Sequence, residues 1–262
     1  MDKKKIYTVG YTLFQRENTI DVERLFKTLS SCGVNYLVDV RSIPFSRQYP
    51  QCNPDNMKAA GRSFGIHYVN MPEVGARVDS RQEVFSKASD IFFETGVFPI
   101  AKSNRPEKTE LRASDEIVDF RKFRRDEFFM SGLKRIEYAC DKAHTLCLMC
   151  GEKNPMDCHR YFLISRALEN KYGDWLEVRH IVELSDGGIG SVSNADLDKQ
   201  LESLVRMQKH LLSPMFEDEI LFNYYGDTKQ EKINDFCDRY WNLLHGWKNL
   251  DDRNNNDMID YD

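Results

Sequence analysis

Tyr36-Leu37-Val38-Asp39-Val40 and Thr145-Leu146-Cys147-Leu148-Met149-Cys150 are short apolar runs that lack the alternation of a strand facing water on one side. A strand that is apolar on both faces must be covered on both, which is the condition of a parallel sheet held between helices. Ile6-Tyr7-Thr8-Val9, closed by Gly10, also reads as a strand. After it, Val22, Leu25, Phe26 and Leu29 recur at three- and four-residue spacing. The spacing predicts a helix over residues 19–32, with Thr19 as N-cap and Gly33 as the stop. Strand, helix and strand in succession make a βαβ unit, right-handed almost without exception.

The pattern continues with a helix near Pro54–Phe64 and a strand at Ile66-His67-Tyr68-Val69. Residues 70–114 hold Pro72, Pro99 and Pro106 and read as an insertion, with one helix around 81–94. Residues 114–130 and 132–143 read as two helices divided by Gly132. Asn154-Pro155 offers a cap and a first-turn proline for a helix over 156–170, and Leu176–Ile181 is the last strand. The fold class is therefore α/β: a three-layer domain with a mainly parallel sheet over residues 4–183, plus a C-terminal helical extension. Ser185-Asp186-Gly187-Gly188-Ile189-Gly190-Ser191 reads as a flexible link. Residues 195–212 and 229–247 read as helices of an extension over 184–250, and 251–262 as a disordered acidic tail.

With 262 residues, 41% of them apolar, the chain can bury a sizeable core. No apolar run approaches the roughly 18 residues of a membrane helix, and Met1-Asp2-Lys3-Lys4-Lys5-Ile6 lacks the apolar stretch of a signal peptide. Seven cysteines, an odd number without scaffold spacing, point to reduced thiols and a cytoplasmic setting, where special cysteines are metal ligands or reactive groups. Residues 183–262 carry 17 acidic and 8 basic side chains, and residues 1–182 carry 29 basic and 25 acidic ones. A mildly basic body suits an anionic substrate, but a net charge of +4 is far from a nucleic-acid footprint.

In open parallel sheets ligands bind beyond the carboxyl ends of the strands. The first strand ends in Gly10-Tyr11-Thr12 and the second in Asp39-Val40-Arg41, with Pro44, Ser46 and Arg47 close behind. The fourth ends in Cys150-Gly151-Glu152, and the next helix opens with Asp157-Cys158-His159-Arg160. Asp39 and Arg41 fit a structural ion pair; equally, Arg41 or Arg47 offers bidentate donors to phosphate or carboxylate. Cys158 fits a small buried residue, or a thiolate stabilised by a helix N-terminus. Burial at a strand end raises the pKa of Cys150 unless Arg160 or His159 stands nearby, and Glu152 and His159 can carry protons. His67, His180, Cys32, Cys140, Cys147 and Cys237 read as structural.

Zinc would accept Cys150, Cys158 and His159. The spacing C-x7-C-H is unlike the usual finger spacings, and adjacent residues on a helix diverge by about 100°. Cofactor binding stays open on this evidence.

Three separated motifs carry a resemblance. They are Thr8-Val9-Gly10-Tyr11-Thr12, Leu37-Val38-Asp39-Val40-Arg41 continuing to Pro44, Ser46 and Arg47, and Cys150, Glu152, Cys158-His159-Arg160, closed by His180-Ile181. Over residues 5–182 the chain resembles the "domain of unknown function 488" family. The resemblance implies an α/β fold and a shared pocket, and carries no particular reaction. Members usually show Gly-His-Ser where this chain has Gly10-Tyr11-Thr12.

Three functions follow as expectations. The first is an enzyme acting on a phosphate-bearing substrate, a nucleotide or nucleic acid. Gly10, Tyr11, Thr12, Asp39, Arg41, Ser46, Arg47 and Arg160 would bind it; Cys150 or Cys158 would be the nucleophile, with Glu152 and His159 moving protons. The second is sulfur transfer or thiol redox, from the Asp-x-Arg shared with rhodanese-like domains. The third is a non-enzymatic nucleotide- or nucleic-acid-binding module. It would use the locally basic residues 102–125, where Phe120 and Phe123 are interleaved either as stacking residues or as the core face of a charged, solvent-facing helix, while the C-terminal helices dock a protein partner.

Overall fold

The computed structural model describes residues 2–76, 84–87, 116–207, 226–228, 231–232 and 235. Ten strands are described: β1 (Lys4–Gly10), β2 (Gln15–Arg16), β3 (Thr19–Ile20), β4 (Tyr36–Asp39), β5 (His67–Asn70), β6 (Phe85–Lys87), β7 (Glu116–Val118), β8 (Leu146–Cys150), β9 (Leu176–Glu183) and β10 (Ile189–Ser193). Six make one sheet, in the order β10-β9-β1-β8-β4-β5, parallel throughout except for β10. β2 with β3 and β6 with β7 form two small antiparallel ribbons.

The helices are α1 (Val22–Ser31), α2 (Pro54–Ser63), α3 (Phe120–Phe123), α4 (Glu127–Asp141), α5 (Arg166–Tyr172), which continues a π-helical turn at Arg160–Ser165, and α6 (Asn194–Met207). Of these, α1, α2, α4 and α5 flank the sheet. Leu25, Phe26 and Leu29 of α1 and Met57 of α2 bury against Val9, Leu37, Cys147 and Met149 of the strands. Each such leucine or phenylalanine contributes roughly 1.5–3 kcal/mol by leaving water.

Two features place the site. Gly10 pairs with Cys150, and Asp39 with both Met149 and Asn70, so four strands end level with one another. The chain leaves β1 in one direction, past the position of β8 to β4, and leaves β8 in the other, past β1 to β9. Neighbouring strands with opposed connections leave a crevice at their carboxyl ends, where ligands bind in sheets of this kind.

Several elements differ from the sequence reading. Asp21, whose side chain accepts from the Arg24 N–H at 2.9 Å, caps α1, and Thr19 pairs in the β2–β3 ribbon instead. Of the helix expected over 81–94 only residues 84–87 are among those described, and Phe85–Lys87 there is a strand; the helix expected over 114–130 holds the strand Glu116–Val118, its partner. Gly132 lies inside α4 and does not divide two helices; a Cβ there would stand 2.6 Å from Glu73 Cγ, so its role is close packing. The link at 185–191 is overturned from Ile189 on, where β10 pairs antiparallel with β9. The extension's helix begins at Asn194 and is described to Met207; the helix at 229–247 and the tail at 251–262 lie largely or wholly outside the described residues.

The chain divides into two compact units, residues 1–76 with 127–197 and residues 77–126 with 198–262. The main sheet belongs to the first. In the second, Asp119 caps α3 and forms an ion pair with Arg121, while Phe120 and Phe123 are buried. Both rings are core, so of the two readings of these phenylalanines the core face is the one found; residues 102–115 of that basic stretch lie outside the described residues. Among the described residues, no helix is long and apolar enough to cross a membrane.

Candidate functional site

Sidedness within the strands separates the predicted residues into two groups. Leu37 pairs with Tyr68, and Asp39 lies two residues on, on the same face. Asp39 is fully buried, and Arg41 grips it through Nε at 2.8 Å and Nη2 at 2.5 Å. The Arg41 N–H and the Tyr68 hydroxyl also donate to this carboxylate, and Nη2 reaches the Pro44 and Cys52 carbonyls. Of the two uses open to Arg41, the ion pair is realised. Its guanidinium lies over the Tyr11 ring, 5.2 Å from the centroid. The Tyr11 phenol pKa is raised by burial, against the Arg41 charge and a Ser46 hydrogen bond. Ser46 also closes the loop: its Oγ accepts from the Tyr49 N–H at 3.0 Å. Arg47 is exposed on the same loop.

On the other side of the strand ends, Cys150, Glu152, Cys158 and His159 come together. The sulfurs of Cys150 and Cys158 and an imidazole nitrogen of His159 all lie within 4.8 Å of one another. His159 Nδ1 is 3.8 Å from each sulfur, and Glu152 Oε2 is 2.8 Å from Cys150 Sγ. The divergence expected of neighbours on a helix does not arise, because Cys158 is extended (φ −130°, ψ 142°) between a 3₁₀ turn at Pro155–Asp157 and the π turn. Asn154 caps that 3₁₀ turn through its bond from the Met156 N–H, as its sequence position suggests. Cys158 Sγ accepts from the Arg160 backbone N–H at 3.5 Å.

Arg160 is wholly buried behind the cluster. Its Nη1 and Nη2 donate to the Glu152 and Lys153 carbonyls at 2.5 and 3.0 Å, which holds the loop from β8 in place. Gly10 is required beside it, since a Cβ would collide with the Glu152 carbonyl. Thr12 completes the clamp, its hydroxyl donating to the Gly151 carbonyl at 2.6 Å.

The electrostatics distinguish the two thiols. Burial opposes ionisation of Cys158, but a hydrogen bond with Cys150 and the charges of Arg160 and His159 hold it well below the usual thiol range. Cys150 moves the other way, raised by that hydrogen bond and by desolvation. Burial works against a charged His159, yet the neighbouring thiolate prevails and raises its pKa. The Glu152 carboxyl is pushed up by desolvation and by the Cys158 charge, although the residue as a whole is exposed. In contrast, burial lifts Cys140 to about 11 and Cys52 to about 12, as inert core thiols should be.

Residues that sequence reasoning missed are Tyr68 and the carbonyls of Val40 and Cys52. His159 Nε2 lies 3.3 Å from the Val40 carbonyl, which ties the cluster to the segment between Asp39 and Arg41. The register of the third strand against Leu37 was the signal for Tyr68; a backbone carbonyl leaves none. His180 is structural as expected, buried between Thr8 Oγ1 at 2.8 Å and Asn194 Oδ1 at 3.1 Å. A cavity of about 420 Å³ between α4 and strands β4, β5 and β8 is lined by Tyr36, Val38, Met71, Tyr138 and Lys142, and includes none of the cluster.

The turn that carries Asp39 and Arg41 lies within a stretch that matches a known family model. Residues 21–95 match the model of DUF488, a domain of unknown function. The DUF488 match takes in α1, β4, the Asp39–Arg41 pair, α2 and β5. It is narrower than the resemblance read over residues 5–182, and the motifs of β1 and of Cys150–Arg160 lie outside it. No curated protein and no solved structure matches the chain significantly.

Proposed function

We propose that the chain is an enzyme whose reaction centre is the Cys150, Glu152, Cys158 and His159 cluster, and that its substrate bears phosphate. One observation carries the reading. Two thiols, an imidazole and the Glu152 carboxyl converge at the carboxyl ends of β8 and its neighbours. A fold gains little stability from burying such groups together, whereas group transfer and hydrolysis need them. Cys158 supplies the negative sulfur on which the reaction depends, and His159 and Glu152 carry protons. For the substrate, the support is Arg47. Of the three arginines at the strand ends it alone is exposed, while Arg41 and Arg160 are engaged with Asp39 and with carbonyl oxygens.

The test is turnover by the full chain of a panel of phosphomonoesters, phosphodiesters, nucleotides and single-stranded oligonucleotides, followed by mass spectrometry of the products. Turnover of a panel member that is lost in Cys158→Ser and His159→Gln supports the reading. Turnover of none, or turnover indifferent to both substitutions, removes it.

A further inference from the structure

We propose that Cys150, Cys158 and His159 bind one divalent transition-metal ion of the zinc class, leaving a fourth position open beside Glu152. The inference rests on the cluster of the proposed function, and names the cation that compensates its thiolate charge.

Distance is the first argument. Sulfur and nitrogen ligands at about 2.3 and 2.0–2.1 Å from a tetrahedral zinc stand roughly 3.5 Å apart. His159 Nδ1 stands 3.8 Å from both sulfurs, a few tenths of an ångström beyond that separation, and all three donor atoms lie within 4.8 Å of one another. The donor set is the second. Two thiolates and an imidazole suit zinc, and disfavour the oxygen-seeking calcium and magnesium.

The surroundings are the third argument. His159 directs Nε2 at the Val40 carbonyl, which holds a proton there and turns Nδ1 toward the sulfurs. The Arg160 N–H donates to Cys158 Sγ, a bond that supports a metal-bound thiolate. These are outer contacts that orient ligands, and a buried structural cysteine pair has no need of them.

Glu152 is excluded from the ligand set. Its Oε2 is 2.8 Å from Cys150 Sγ, nearer than two ligands of one tetrahedral ion can stand. It lies where it can exchange a proton with a water in the open position. On binding, the Cys150 thiol proton and the Nδ1 proton of the His159 imidazolium leave to solvent, and each donor atom keeps the electron pair that forms its bond to the metal.

The experiment uses the full chain, purified reduced and without chelator. Elemental analysis should find one zinc-class ion per chain, and Co(II) replacing it should show thiolate-to-cobalt charge-transfer absorption. Cys158→Ser and His159→Gln should reduce metal content at least tenfold, with folding checked by circular dichroism, while Glu152→Gln retains it. If either ligand variant fails to fold, alkylation of the wild type decides: Cys150 and Cys158 should be protected until a chelator is added. Substoichiometric metal with no cobalt–thiolate absorption, or thiols that alkylate alike with and without chelator, overturns the inference. Metal bound without turnover of any phosphate compound would leave this inference standing and remove the proposed function; turnover unaffected by chelator would do the reverse.

Discussion

Gly10 and Glu152 touch across the end of the sheet, the one closing β1 and the other in the loop that leaves β8. The missing Cβ of Gly10 is what lets the Glu152 carbonyl approach and reach the Arg160 guanidinium. Gly10→Ala should therefore push that loop outward and destabilise the protein by about 1–3 kcal/mol, the usual cost of overpacking. Urea unfolding measures it; a midpoint unchanged from wild type would mean that the loop yields freely.

Asp39 answers three donor groups in a buried place, and its loss leaves a guanidinium unpaired there. Asp39→Ala should cost about 3–5 kcal/mol. Tyr68→Phe, which removes one hydroxyl, should cost about 1 kcal/mol. Equal effects from the two in denaturant titrations would show that the ion pair contributes nothing of its own.

The three strand-end arginines should separate by assay. Arg160→Ala should unfold or strongly destabilise the chain, because the buried guanidinium holds two carbonyls. Arg47→Ala should leave stability within about 0.5 kcal/mol, as exposed substitutions do. On a phosphate-bearing substrate it should raise KM far more than it lowers kcat. A KM equal to that of wild type would remove Arg47 from the binding surface.

His180 sets an acid limit. Burial, first, and the Arg160 charge push its pKa down to about 3 from the ordinary 6.5. The folded state keeps the ring neutral while the unfolded chain binds the proton. The stabilisation is thus complete above about pH 6.5 and is lost as pH falls toward 3, by an amount on the order of 4 kcal/mol. Thermal melts across this range should show the decline, and His180→Gln should flatten it. An equally steep decline in the variant would assign the acid sensitivity to other groups.

Much of the fold was legible because buried parallel strands are continuous apolar runs; β4 and β8 are found within a residue of their predicted limits. What could not be read was set by distant partners. β7 looked helical in its own stretch of chain, and its strand form depends on Phe85–Lys87 some thirty residues earlier. Ile189–Ser193 has the composition of a link, and pairing with β9 overrides it. The site residues were named from their chemistry at strand ends. Their convergence was hidden by treating Cys158 as helical, and one extended residue reverses that argument. Arg41 shows the converse, since no sequence signal tells whether its fork meets Asp39 or a ligand.

The position of β1 bears on how the molecule is made. Tyr7 pairs with Cys147, and Thr8 with His180, so β1 leaves the ribosome more than a hundred residues before either of its neighbours. The centre of the sheet must wait through most of synthesis, and contacts of such long range close slowly. The thiols assemble late as well, since Cys150, Cys158 and the Val40 carbonyl meet only around a finished sheet. A nascent chain halted before residue 146 thus exposes β1 without a partner and lacks Cys150, Cys158 and His159 altogether.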